Sequence, residues 1–201
     1  MKTYNLTQAI MKIFTIIFII ICCSVLFYAC GEDDAMNPDG DAPTLNYDGD
    51  QESAPNLDAA TYVAAARFTA AQIGDFADDE ISAVQYYVAH MPENCKVKIY
   101  GAQTATMPGA LLYEADVTSS TTEGEWNTHQ LSQAVALSSN DIWIGIEFRH
   151  SARQATIGCD PGPAVTDGDW LYSSLDDTWT PLSQRTAISI NWNIRGVLRI
   201  K

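Results

Sequence analysis

The chain has 201 residues and a formal net charge of −14, with 25 acidic side chains against 11 lysines and arginines. All the acids follow Ala29 while Lys2 and Lys12 precede it, so residues 30–201 carry 9 cationic and 25 acidic groups, a net −16. A surface of that sign repels phosphate backbones and anionic headgroups; this excludes nucleic acid as a partner and leaves solubility as the default role of the charge.

The first element is an export segment. Met11-Lys12 restarts the N-terminus, residues 13–29 are apolar apart from Thr15, Ser24, Cys22 and Cys23, and Ala29 is the small residue before Cys30. Lysines before it and acids after it keep the N-terminus inside and send the rest out. Leu26, Ala29 and Cys30 resemble a bacterial lipobox, which implies that Cys30 becomes the acylated first residue of the mature protein. The pattern departs from the usual one: Leu26 stands four places before the cysteine, and Phe27 and Tyr28 are bulky. The alternative is an uncleaved anchor, because the length of residues 11–29 lies near the lower limit of roughly 17 residues for a membrane span. Glu32-Asp33-Asp34 resembles the acidic surface-export signal of Bacteroidetes lipoproteins, which implies an outer-membrane lipoprotein on the outer face.

Residues 30–56 read as an acidic flexible tether in which apolar residues are too sparse to bury. Leu45 and Tyr47 are its first side chains suited to touching a domain, and Asp48-Gly49-Asp50 fits a turn or a calcium loop. Residues 57–201 are long enough for one domain with its own core.

That domain reads as strands separated by turns. Residues 62–69 and 81–88 are rich in β-formers, and Lys96-Val97-Lys98-Ile99 alternates as a half-solvated strand should. Met107-Pro108-Gly109 reads as a turn, followed by strands over 111–117 and 126–131. Residues 142–148 form the most apolar and central strand, and 169–173 and 188–200 complete the set. Residues 70–76 suit a helical turn, and Gly74 argues against anything longer. Even spacing and no amphipathic helix predict an all-β antiparallel fold, a β-sandwich or a barrel.

Cys95 and Cys159 remain once Cys30 is acylated, and an oxidising compartment favours a disulfide between them; the alternative is two buried free thiols. Trp143, Trp126 and Trp192 sit in strand context and read as core. Trp170 and Trp179 adjoin acidic, Gly- or Pro-containing loops and, with Tyr172, are the candidates for a ligand-binding face. Asp160, Asp167 and Asp169 lie in or beside the proline-rich loop 157–163 and offer hard oxygens to a structural calcium ion, although they match no calcium-loop pattern. No other cofactor is implied. His90, His129 and His150 are scattered singly, with His150 read as a surface residue, and no catalytic motif is found. Glu125 and Glu147 are the carboxylates a hydrolase reading would use.

The order of several motifs is familiar. Arg67-Phe68-Thr69, Lys96-Val97-Lys98-Ile99-Tyr100-Gly101, Gly124-Glu125-Trp126-Asn127, Asp141-Ile142-Trp143-Ile144-Gly145, Asp160-Pro161-Gly162-Pro163, Trp179-Thr180-Pro181-Leu182 and Asn191-Trp192-Asn193-Ile194-Arg195 resemble a module of secreted Bacteroidetes proteins. It is similar to the jelly-roll, galactose-binding-like domain of gingipain-type cleaved adhesins, over roughly residues 45–201. The resemblance implies a jelly roll and a role in adhesion or in capturing a glycan, or an envelope or host protein. A structural subunit of an envelope complex is the alternative, and a hydrolase stands behind both. Intact-mass analysis of envelope-extracted protein is expected to show a chain beginning at an acylated Cys30, and Cys30→Ala is expected to abolish that species; an unmodified N-terminus upstream of Cys30 would remove the lipoprotein assignment.

Overall fold

The alternation Lys96-Val97-Lys98-Ile99 becomes the pleat of strand β5 (Asn94–Thr104), with Cys95, Val97 and Ile99 fully buried and the lysines on the opposite face. The computed structural model containing it describes residues 42–201; the signal segment 1–29, Cys30 and the start of the tether lie outside the described residues. No helix among the described residues is long and apolar enough to cross a membrane.

The remaining strands are β1 (Thr44–Leu45), β2 (Asn56–Leu57), β3 (Ala60–Phe68), β4 (Glu80–Val88), β6 (Met107–Asp116), β7 (Glu125–Ala136), β8 (Ile142–His150), β9 (Gln154–Ala155), β10 (Trp170–Ser173), β11 (Thr178–Pro181) and β12 (Ile194–Arg199). One sheet has the order β1-β12-β4-β7, the larger has the order β11-β10-β3-β8-β5-β6, and β2 pairs with β9. Every pairing is antiparallel. The fold is therefore an all-β antiparallel sandwich, the first of the two forms that the strand spacing allows.

Its main core is made by the facing sides of the two sheets. Tyr62, Ala64, Ala66 and Phe68 of β3 and Ile144, Ile146 and Phe148 of β8 meet Ile81, Val84, Tyr86 and Val88 of β4 and Ile194 and Leu198 of β12, with Trp192 among them. Burying a side chain of this size stabilises by about 1.5–3 kcal/mol. The helical turn forms at Ala70–Ile73 and continues as a 3-10 turn over Gly74–Phe76, the range expected.

Three segments differ from expectation. Met107-Pro108-Gly109 is not a turn: the chain reverses at Ala105 and Thr106, and these residues begin β6. As an edge strand, β6 tolerates a proline, and a Cβ on Gly109 would lie 2.3 Å from the Ala102 carbonyl oxygen, so the glycine serves close backbone approach in an irregular ladder. Residues 44–56, read as tether, are built into the domain. Leu45 pairs with Gly196, the Tyr47 ring stacks on Phe68 at 5.0 Å, and the Asp48 carboxylate is enclosed by Arg195 and Asn193. His150 is buried rather than at the surface; it packs against Tyr62 and Phe148, with Nδ1 2.7 Å from the Ala152 carbonyl oxygen.

The expected disulfide is also corrected. Cys95 and Cys159 are both free and buried. Cys95 lies opposite Phe148 in the six-stranded sheet, whereas Cys159 bridges Ser53 and Trp192, with its sulfur 3.3 Å from the Ser53 hydroxyl. Each sulfur is thus packed by its own neighbours. Burial pushes the Cys95 thiol up to about 12 and raises that of Cys159, so neither offers a thiolate at neutral pH. Both thiols are expected to resist a thiol reagent in the folded protein and to react after denaturation without reductant; two thiols that stay unreactive until reduced would restore the disulfide.

Candidate functional site

The most developed feature lies on the outer face of the six-stranded sheet. Registers place Trp170, Ala65, Gly145 and Lys98 in one row across β10, β3, β8 and β5, with Arg67, Trp143 and Tyr100 in the next. Ala65 and Gly145 are the small members, and a Cβ on Gly145 would sit 2.9 Å from Val63 Cγ1 and 3.2 Å from the Ala65 methyl. The large rings gather around these two. Trp143 lies 5.0 Å from Trp170 and 5.6 Å from Trp179, and Trp179 is edge-on to Tyr100 at 6.2 Å. Tilted and edge-on contacts of this kind stabilise by about 0.5–1.5 kcal/mol beyond the area they bury. This cluster is separate from the main core, with Ala65, Trp143 and Trp170 buried and Tyr100 and Trp179 partly so. Trp143 is thus buried as expected, but on the far side of its sheet.

Beside the indoles is a cleft of about 520 Å³. Trp170 and Trp179 contribute the aromatic wall, Arg67, Asp167 and Asp169 the charged groups, and Thr106, Ser183 and Gln184 part of an uncharged rim. The β5–β6 turn brings Thr106, and the helical turn Leu182–Arg185 brings Ser183 and Gln184. The segment 164–169 forms the remaining wall and is pinned along its length. Asn191 Oδ1 accepts from the Val165 amide at 2.7 Å, and the amides of Arg67 and Leu182 donate to the carbonyls of Asp167 and Asp169 at 2.9 and 2.7 Å.

Arg67 is the electrostatic centre. Its Nε and NH2 donate to Asp141 Oδ2 at 3.1 and 2.6 Å, and its NH1 donates to the two oxygens of Asp167 at 3.0 and 3.1 Å. Burial works against the guanidinium charge, but the two carboxylates outweigh it and raise its pKa. Burial likewise pushes Asp141 up, and the bonds from Arg67 and the Ala70 amide more than reverse this, leaving its carboxyl below the ordinary value of 3.8.

The sequence candidates divide. Trp170 lines the cleft but is 5% exposed, its Nε1 donates to Asp167 Oδ1 at 3.0 Å, and it serves mainly as a buried wall. Trp179 lies at the cleft and remains part-exposed. Tyr172 packs 5.7 Å from Trp179 and donates to Asp177 at 2.7 Å, a flanking rather than a lining position. The calcium expectation is corrected as well. Asp160 takes the amides of Gly162 and Asn191 on Oδ1, and Gly49 N and Asn191 Nδ2 on Oδ2; these bonds outweigh burial and lower its pKa. Asp167 faces Arg67, and Asp169 accepts from the Ser183 amide at 2.8 Å. Each carboxylate is committed to a different donor set, and no three metal-ligating acids, histidines or thiols converge among the described residues. Glu125 and Glu147 lie on different sheets, and Glu147 faces Lys98 at 2.6 Å.

Sequence reasoning missed Arg67, Asp141, Thr106, Ser183 and Gln184 as parts of one site. No local pattern marks them, since the contacts joining Arg67 to Asp141 and Asp167 span 74 and 100 residues. It also misread Trp126, which is 37% exposed and lies 4.3 Å beneath the Arg195 guanidinium.

Because the folded pKa of Asp141 lies below its unfolded value, its contribution to stability is present above 3.8 and lost as pH falls through the folded value. Thermal melts are expected to fall below that pH. Asp141→Asn should lower stability at neutral pH by on the order of 1–3 kcal/mol and give a shallower acid decline; an unchanged acid limb would remove Asp141 from the account. Comparisons with family models, curated proteins and solved structures return no match for this chain.

Proposed function

We propose that this chain is a lipid-anchored binding module of the cell envelope that captures a glycan in the cleft beside Trp179. The observation that carries the reading is a part-exposed indole, backed by buried Trp170 and Trp143, at a cleft whose rim includes hydroxyl and amide side chains. A sugar ring offers an apolar face of C–H groups to an indole and hydroxyls to the surrounding polar groups, which matches that arrangement. The resemblance to gingipain-type adhesin domains points the same way and brings the jelly-roll assignment with it. Lipidation at Cys30 and the acids after it support an outer-membrane, surface-exposed position, with the membrane reached through the lipid.

A second reading is a structural subunit of an envelope complex. It is favoured by Met107, Leu111 and Leu112, each about half exposed on edge strand β6.

A glycan array probed with the full chain in detergent separates the two. Selective binding that persists in chelator is expected, with Trp179→Ala weakening it by about thirtyfold, or ~2 kcal/mol, while the fold is retained by circular dichroism. A blank array together with co-purification of a stoichiometric envelope partner would favour the subunit reading.

A further inference from the structure

We propose that the cleft selects uncharged saccharides and turns away sugars bearing a carboxylate, because Arg67, the one cationic side chain in its lining, is already claimed by Asp167 and Asp141. This rests on the saccharide reading above. Acidic sugars are commonly held by a guanidinium or ammonium that offers free N–H groups to the carboxylate. Here all three guanidinium nitrogens of Arg67 are engaged by protein carboxylates, and its side chain is 13% exposed.

The charge count runs the same way. The lining contributes one cation, Arg67, and two acids, Asp167 and Asp169, and Asp141 stands behind Arg67. An incoming carboxylate meets a net negative set within a chain of net charge −14. To reach Arg67 it would have to displace Asp167, whose Oδ1 also accepts from Trp170 Nε1. Displacement would therefore leave a buried indole N–H without its partner, the asymmetric cost that makes a satisfied pair hard to invade. Neutral hydroxyls meet no such barrier: Thr106, Thr166, Thr180, Ser183 and Gln184 supply donors and acceptors without charge.

The test uses a glycan array in which each uronic-acid oligosaccharide is printed beside its carboxyl-reduced counterpart, so that each pair differs only in a carboxylate replaced by a neutral hydroxymethyl group. With the full chain at about 0.1 M salt, the reduced member is expected to bind at least about tenfold more tightly. The gap should narrow at about 1 M, where screening acts over about 3 Å rather than about 10 Å. Asp167→Asn should also narrow it: the amide oxygen can still accept from Trp170, asparagine tolerates the φ of 75° at this position, and one repelling charge is gone. Asp141→Asn is the second variant should the first fail to fold, and the wild-type salt series needs neither. Equal or tighter binding of the acidic members overturns the selectivity and leaves the saccharide reading standing. No binding to either member of any pair removes that reading, and this inference with it.

Discussion

One guanidinium holds the cleft together. Arg67 comes from β3, Asp141 from the turn into β8 and Asp167 from the segment before β10, so a single side chain ties a strand to two separate loops. Its backbone takes part as well, since the Arg67 amide donates to the Asp167 carbonyl. Removing one member of such a partly buried set leaves charge without compensation, which costs more than the set contributes relative to an apolar replacement. The arrangement is therefore better understood as positional: it fixes where the wall of the cleft stands, and Trp170 takes its orientation from the same carboxylate.

Around that point the six-stranded sheet is buried on both faces over part of its area. The inner face meets the other sheet through aliphatic side chains, while the outer face carries its own small aromatic cluster. The smallness of Ala65 and Gly145 makes this possible, because the indoles need space directly over the strands. Trp192 connects the two layers: its ring is buried in the main core, while its Nε1 donates to the Trp170 carbonyl at 2.9 Å. A loop residue of the main core thus braces the strand that carries the cleft wall.

The architecture was legible because period-2 alternation is a local signal. Val97 and Ile99 alternating with Lys96 and Lys98, and the apolar run of β8, declare themselves over a few residues. The cleft was only half legible. Trp179 and the acids after the proline loop stood out by residue type, yet whether an acid is spent on a neighbour depends on donors such as Asn191, 31 residues beyond Asp160. The same limit explains the misplaced tether boundary, since Asp48 meets Arg195 across 147 residues. Proline and glycine misled at 107–109 because an edge strand and a close backbone approach use the same residues as a turn.

The pairing of β1 with β12 has a consequence for the order of events in folding. Thr44 aligns with Val197, so the first strand of the described chain has no ladder partner until nearly the last residues are present. β4 has β7 on one side, but its other edge waits on the same strand, because β12 lies between it and β1. The smaller sheet therefore cannot be completed progressively from the N-terminal end of the chain. β1 stays without a ladder partner, and β4 without its second one, until residues 194–199 are available, and pairing over so long a sequence separation slows folding.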